Sequence, residues 1–230
     1  MPTRDRGKLI GESIQSLIDQ TISEWELIVI DDHSKPGDET KDVIDKFRDD
    51  RIKYFVLESS NGTGIAAARN FGNRMASADI VAVCDSDDLN YPERARLTLE
   101  KFELPGCDFV YGRIDVWNPE TGEIKGRTEG YKEKDFNFNQ MLKANYIPHP
   151  TCAYKKFLGF DFPYDSFFQV AEDYNLIMRI AKYGYKFSFI DLPLVKNRQH
   201  TGSVMKVRHF KFEYGKIVQN NFIDYPNIKN

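Results

Sequence analysis

Asp85-Ser86-Asp87-Asp88 places three carboxylates directly after the apolar run Ile80-Val81-Ala82-Val83-Cys84. That run reads as a buried strand, so the acids stand at a strand's carboxyl end, where open α/β sheets bind their ligands. Side chains at i and i+2 of an extended chain point the same way, with Cα atoms roughly 6–7 Å apart. Asp85 and Asp87 could therefore face one ligand together. Hard carboxylate oxygens suit Mg²⁺ or Mn²⁺, which commonly bridge a carboxylate and a substrate phosphate. A solvated acidic turn ahead of a helix starting at Pro92 would use the same residues, and Asp-x-Asp alone does not separate the two.

The elements that must position these acids follow from hydrophobic periodicity. Leu9, Ile10, Ile14, Leu17 and Ile18 recur at helical spacing and predict a helix over about 7–20. Glu26 to Ile30 is a short apolar strand ended by Asp31-Asp32-His33-Ser34, and Gly37 to Thr40 opens a second helix carrying Val43, Ile44 and Phe47. A strand over Ile52–Leu57, a turn at Asn61-Gly62-Thr63-Gly64 and a helix over Ile65–Met75 lead to the Ile80–Cys84 strand. A helix from Pro92 follows, Pro being suited to a first helical position. Strand and helix alternate to residue 103, which implies a mostly parallel sheet with helices on both faces. Beyond it the pattern loosens: strands over Cys107–Trp117, Thr151–Lys155, Lys186–Ile190 and Leu194–Asn197, and helices over Phe138–Ala144, Glu172–Tyr183 and from about 205.

Composition narrows the class. At 230 residues the chain makes one domain or two small halves, and a net charge of −3 argues against a nucleic-acid partner held by phosphate contacts. Cys84, Cys107 and Cys152 lack Cys-x-x-Cys spacing and read as reduced core thiols of a cytoplasmic protein. No apolar run approaches the length of a membrane span, and the start shows no signal-peptide pattern.

Six segments in order resemble the family 2 glycosyltransferases of GT-A fold. Pro2-Thr3-Arg4-Asp5-Arg6 is similar to the tail of that family's opening strand and loop, and Ile30-Asp31-Asp32-His33-Ser34 to its Val-Asp-Asp-Gly-Ser. Asn61-Gly62 with Ala68-Arg69-Asn70, then Asp85-Ser86-Asp87-Asp88, Glu172-Asp173 and Arg198-Gln199-His200, resemble its remaining elements. The resemblance implies an α/β, Rossmann-like domain: a mostly parallel central sheet flanked by helices, with residues 1–105 as a nucleotide-sugar-binding half and 106–230 as a smaller, mixed acceptor half. It implies an inverting, metal-dependent transfer of one sugar from a nucleotide sugar, a UDP-sugar by preference, to a saccharide or lipid-linked acceptor of cell-wall or polysaccharide synthesis.

The residue roles follow from the same resemblance. Pro2, Thr3, Arg4, Asp31, Asp32, Arg69, Asp85 and Ser86 would bind the donor, with Asp32 on the uracil edge and Arg69 near the base or diphosphate. Asp87 would be the direct ligand of Mn²⁺ or Mg²⁺, joined by Asp85, Asp88 and His200, whose imidazole suits Mn²⁺ better. Asp173 would be the catalytic base, with Glu172 the second choice; both could instead be helix N-terminal acids that complement the dipole. The aromatics of Tyr146–Pro150 and Phe160–Phe168 could stack on an acceptor or belong to the core. The basic Lys206, Arg208, Lys211 and Lys216 are a solvated helix face or a contact with lipid-linked acceptor, which allows a place in the cytoplasm or at the membrane's inner face. A homo-oligomer is compatible with the chain, as are two other classes: a non-catalytic nucleotide-sugar-binding or scaffold protein, and a nucleotidyltransferase.

Two departures from the family stand out. His33 replaces a small turn residue, and the family's first strand, central in its sheet, is missing. Burying four or five aliphatic side chains at about 1.5–3 kcal/mol each makes such a strand worth on the order of 10 kcal/mol. Either the chain is a shortened form or something else fills the gap; a closed sheet would exclude both.

Overall fold

The computed structural model describes residues 1–58, 63–127, 136–199 and 208–222. A three-stranded parallel sheet forms first, in the order β1 (Pro2–Thr3), β2 (Leu27–Asp31), β3 (Ile52–Val56). All of β2 is buried, as its unbroken apolar run requires of a strand covered on both faces. Helix α1 (Ile10–Ile18) sets Ile10 and Ile14 against Leu27 and Val29 on one face, with Ile44 of α2 (Thr40–Ile44) beside them. Helix α3 (Ile65–Met75) covers the other face, Ala68 packing on Ile28 and Ile30.

The second sheet is mixed, in the order β4 (Ile80–Ala82), β8 (Ala153–Lys155), β6 (Phe109–Trp117), β9 (Phe187–Arg198), β5 (Leu89–Asn90), with β7 (Ile124–Arg127) paired to β6. Among the described residues β6 and β9 run parallel and the other pairs of this sheet are antiparallel. Helices α4 (Arg94–Glu103), α5 (Phe138–Lys143), α6 (Lys156–Asp161), α7 (Glu172–Lys182) and α8 (Arg208–Phe222) complete the described chain. The largest core lies here, with Leu176, Ile177 and Ile180 of α7 packed among Phe109, Tyr154 and Met141. Asn137 caps α5 by accepting from the Gln140 amide (2.9 Å), and Gly184, at φ 82°, stops α7. The three cysteines are buried and unpaired, as expected.

The α/β class is as anticipated, but three details differ. The single sheet is divided, because β4 takes β8 as its neighbour instead of a strand of the first sheet. The two strands anticipated over 186–197 are one, Phe187–Arg198, bent past Pro193 by shifts of register against Gly112–Ile114. A two-residue strand is present where the first strand was anticipated as missing: Pro2 and Thr3 pair with Ile30 and Asp31, and the Met1 ammonium donates to the Ile28 carbonyl (2.7 Å). Among the described residues a cavity separates β2 from β4.

Below that cavity one carboxylate links the two sheets. Glu26 accepts from Lys53 (2.6 Å), the Ser77 amide and hydroxyl, and the Ala78 amide (3.2 Å), tying the start of β2 to the α3–β4 turn. Burial pushes its pKa up, but these bonds outweigh it and hold the group down at about 2. A depressed carboxylate stabilises the fold above its unfolded pKa near 4.5 and loses that contribution as pH falls toward 2. Glu26→Ala should therefore cost on the order of 2–3 kcal/mol at pH 7. In urea titrations the gap between variant and parent should close between about pH 4.5 and 2; a gap independent of pH would refute the linkage.

Candidate active site

The carboxyl ends of β1, β2 and β4 and the start of α7 meet on one side of the molecule. Asp31, the last residue of β2, accepts from the Tyr54 hydroxyl (2.7 Å) and the Ser34 amide (2.7 Å). Asp32 accepts from the Thr63 hydroxyl (2.8 Å) and the Gly64 amide (2.9 Å), holding the loop that opens α3. Thr3 is buried beside them; its carbonyl accepts from the Asp32 amide (2.8 Å), while its hydroxyl lacks a partner among the described residues. Pro2 lies just below in β1, and Arg4 is exposed on the loop that follows. The loops after β1 and β2 are laced together, Asp5 accepting from the Lys35 amide (2.8 Å) and the Ser34 hydroxyl accepting from the Asp5 amide (2.9 Å).

Among the described residues three non-glycine residues have positive φ, Asp5 (52°) after β1, His33 (62°) after β2 and Ala171 (67°) before α7. Left-handed backbone costs a residue with a Cβ about 1–2 kcal/mol, and such strain clusters where surrounding structure fixes a functional geometry. It also explains why a small residue is usual where His33 stands.

Arg69 is the centre of the arrangement. From α3 its Nη1 donates to Glu172 Oε1 and its Nη2 to Asp85 Oδ1 (3.1 Å), and its guanidinium lies 5.5 Å from the Tyr164 ring. Burial alone would lower the Arg69 pKa, but the facing Asp85 and Glu172 charges raise it. For Glu172 burial dominates and raises the pKa against the pull of Arg69. Asp173 points to a more open environment and accepts from Asn145 Nδ2 at 3.4 Å.

The acidic turn divides its work. Asp85 faces Arg69, Ser86 is buried, and Asp87, about a quarter exposed, faces Arg6 at 3.7 Å. Asp88 is buried and accepts from Asn197 Nδ2 (3.1 and 3.0 Å) and the Arg198 amide (2.9 Å). Burial, with Asp85 and Asp87 nearby, pushes its pKa up to about 7. Arg198 donates to the Asp87 carbonyl (2.9 Å) and to Glu12 (2.6 Å) and stacks on Trp117. His200, Asn61, Gly62 and Lys206 lie outside the described residues, as do the side chains of Arg208 and Lys211. Among the described residues no three His, Cys, Asp or Glu side chains converge as a ready metal cage.

Arg69, Asp85 and Glu172 are thus brought into contact, with Asp87 and Asp173 on the same turn and helix start, while Asp31 and Asp32 stand at the end of β2. Glu12, Tyr54, Asn145 and Asn197 were not singled out from sequence, because each acts through a partner distant in the chain. Of the aromatics considered for an acceptor, Phe168 is core, whereas Phe160 and Phe167 are exposed.

A parallel sheet joined to a mixed sheet that delivers a helix start to its strand ends is the layout of the GT-A fold. The fold matches the Staphylococcus aureus TarS 1-349 structure in complex with UDP-GlcNAc at TM-score 0.78 and 20% identity, over 98% of this chain and 66% of that one. It matches the mannosyltransferase PcManGT from Pyrobaculum calidifontis, in complex with GDP-Man and Mn²⁺, at TM-score 0.70 and 16% identity, over 100% of this chain and 64% of that one. Residues 1–163 match the sequence model of glycosyl transferase family 2, and the chain belongs to that family. It is 31% identical over 184 residues to the Escherichia coli UDP-Glc:alpha-D-GlcNAc-diphosphoundecaprenol beta-1,3-glucosyltransferase WfgD, covering 79% of this chain and 68% of that protein. It is 34% identical over 150 residues to the poly(ribitol-phosphate) beta-N-acetylglucosaminyltransferase TarP of S. aureus (strain N315), covering 64% of this chain and 42% of that protein. The chain thus spans about two thirds or less of these proteins' lengths.

The buried triad makes a distinct demand on stability. Arg69→Met leaves buried Glu172 and partly buried Asp85 without their cation and should cost on the order of 3 kcal/mol. Arg69→Met combined with Glu172→Gln should recover part of that loss, as read from urea midpoints in a double-mutant cycle. Additive losses would mean the pair is not coupled.

Proposed function

We propose that this glycosyltransferase moves a single sugar from a UDP-sugar to a saccharide or lipid-linked acceptor, with inversion and with a divalent cation. The observation that carries the reading is the ion pairing of Arg69 with Asp85 and Glu172, which joins the acidic turn holding Asp87 to the helix start holding Asp173. Residues 1–105 would hold the nucleotide sugar and 106–230 the acceptor. The donor class is supported by TarS, solved with UDP-GlcNAc, and by WfgD, named for UDP-Glc. The acceptor class is supported by the diphosphoundecaprenol in WfgD's name and the poly(ribitol-phosphate) in TarP's. A lipid-linked acceptor would be met at the membrane's inner face; among the described residues no helix is long and apolar enough to cross a membrane.

Asp85 and Asp87 fit a hard cation: both are partly exposed carboxylates at one strand end, with cationic Arg6 and Arg69 alongside to limit their repulsion. Mn²⁺ or Mg²⁺ held there supplies Lewis-acid neutralisation of a departing diphosphate. Asp88 would shape the turn, since its oxygens are engaged by Asn197 and Arg198. Thr3, Arg4, Asp31 and Asp32 would border the base and ribose. Arg69, already held by two carboxylates, would position Asp85 and Glu172. Asp173, oriented by Asn145, would take the proton of the acceptor hydroxyl. With Glu172 committed to Arg69, Asp173 is the carboxylate of the pair left for that role, in keeping with inversion.

Asp87→Ala should abolish Mn²⁺-dependent UDP binding in calorimetry. Asp173→Asn should leave binding intact and lower turnover by about 10²–10⁴-fold, measured as UDP release from a panel of UDP-sugars. Near-normal turnover of Asp173→Asn would overturn the base assignment.

A further inference from the structure

Helix α7 is tied to α3 at two points. The first is its opening residue, where Glu172 accepts from Arg69. The second lies two turns on and runs through main chain. Arg179 Nη2 donates to the Pro163 carbonyl. The next residue, Tyr164, is held from α3 by one side chain: Asn70 Nδ2 donates to the Tyr164 carbonyl (2.8 Å), and Asn70 Oδ1 accepts from the Tyr164 amide (2.8 Å). One asparagine amide thus stands in for a strand partner and satisfies both the donor and the acceptor of a residue. Ionised Asp, of the same shape, has no donor for this, and Leu has neither group.

Geometry gives the second tie its consequence. About 10 Å of helix axis separates Glu172 from Arg179, at 1.5 Å per residue. A helix held at one point can pivot about it; held at two, its axis is fixed. The Tyr164 side chain returns to the same place. It is buried, its ring lies 5.5 Å from the Arg69 guanidinium, and its hydroxyl bonds His149 Nε2 (2.9 Å). The Tyr154 hydroxyl lies 3.4 Å from it and donates to Asn73 Oδ1 (3.0 Å). Residues three and four apart share a helix face, as Asn73 does with Asn70 and Arg69. One stretch of α3 therefore holds Tyr164 by main chain, ring and hydroxyl.

We propose that Asn70 is a positioning residue for sugar transfer: by pinning Tyr164 it fixes the axis of α7 against α3, keeps Glu172 on Arg69 and so aims Asp173. The inference rests on the reading of Asp173 as the base. Asn70 touches no reacting group; it acts through Tyr164, on Arg69 at one end of α7 and, through Pro163, on Arg179 nearer the other. Misplacing a reacting group by 1 Å can cost about 10²-fold in rate. On the same reading the donor is met by Asp31, Asp32, Asp85 and Asp87, none of which lies on α7. Loss of the pin therefore lowers kcat and spares donor binding.

Steady-state UDP release by the full chain, across a panel of UDP-sugars, tests this. Asn70→Ala should lower kcat by about 10–100-fold and leave the donor KM within about twofold. Arg179→Met cuts the same path at its other end and should do the same. The double variant should be no slower than the slower single, because residues that act as a unit are not additive. Glu26→Ala is the control for lost stability: assayed well below its Tm, it should keep the parent's kcat. A second readout needs no turnover. In urea, the coupling between Arg69→Met and Glu172→Gln should fall by about half or more when the cycle is repeated in Asn70→Ala. Multiplying losses in the double variant, a donor KM that rises as kcat falls, an equal loss in Glu26→Ala, or an unchanged coupling would each overturn the proposal. Should the parent release no UDP from any UDP-sugar, the donor reading falls, and the urea cycle decides the pin by itself: a lost coupling sustains it and a retained one overturns it.

Discussion

Removing a guanidinium and two carboxylates from water costs several kcal/mol per ion, and the cost is recovered only where geometry is good and each charge finds a partner. Arg69 meets that condition by reaching Glu172 and Asp85 at once, and so links three elements far apart in the chain: α3, the end of β4 and the start of α7. None of the three can shift without exposing or orphaning a buried charge. The electrostatics of the triad therefore set where the acidic turn stands relative to α7. The same holds three residues beyond Asp85, where Asp88, buried and engaged by Asn197 and Arg198, fixes the end of β9 against that turn.

The triad is the more important because the backbone contributes less than usual to joining the two sheets. A continuous sheet would couple β2 to β4 through ladder hydrogen bonds; here side chains carry much of that coupling. Arg69 acts at the carboxyl ends of the strands and Glu26 at the amino ends, where it grips Lys53, Ser77 and Ala78. The cavity lies between the two clamps.

The fold was legible where local sequence decides structure. The β2 run, α3 over Ile65–Met75 and the amphipathic α7 match their anticipated positions because apolar spacing and flanking turns determine them. The two-residue β1 and β5, the four-residue β7 and the short α6 escaped notice, since their existence depends on partners, as at Leu89–Lys196 or Trp117–Ile124. The acids of the site were legible by type and order, but their partners were not. Nothing near Arg69 in sequence announces Glu172, 103 residues away, and nothing near Asp88 announces Asn197. His33 is a middle case: its turn was recognisable, whereas its left-handed φ was not.

Glu172 and Asp173 show why such contacts decide function. Adjacent residues at a helix start point in directions about 100° apart, so neighbours of like chemistry can occupy unlike surroundings. Glu172 turns inward, is buried and spends its charge on Arg69. Asp173 turns toward the rim and makes a long bond with Asn145. A base must reach an acceptor hydroxyl that arrives from outside, and a carboxylate bound to a buried guanidinium cannot do so without abandoning the contact that keeps α7 in place. On the proposed reading, then, one member of the pair builds the site and the other works in it. Ala171, held at φ 67° directly before them, is the strained residue that turns the chain so that both orientations are met.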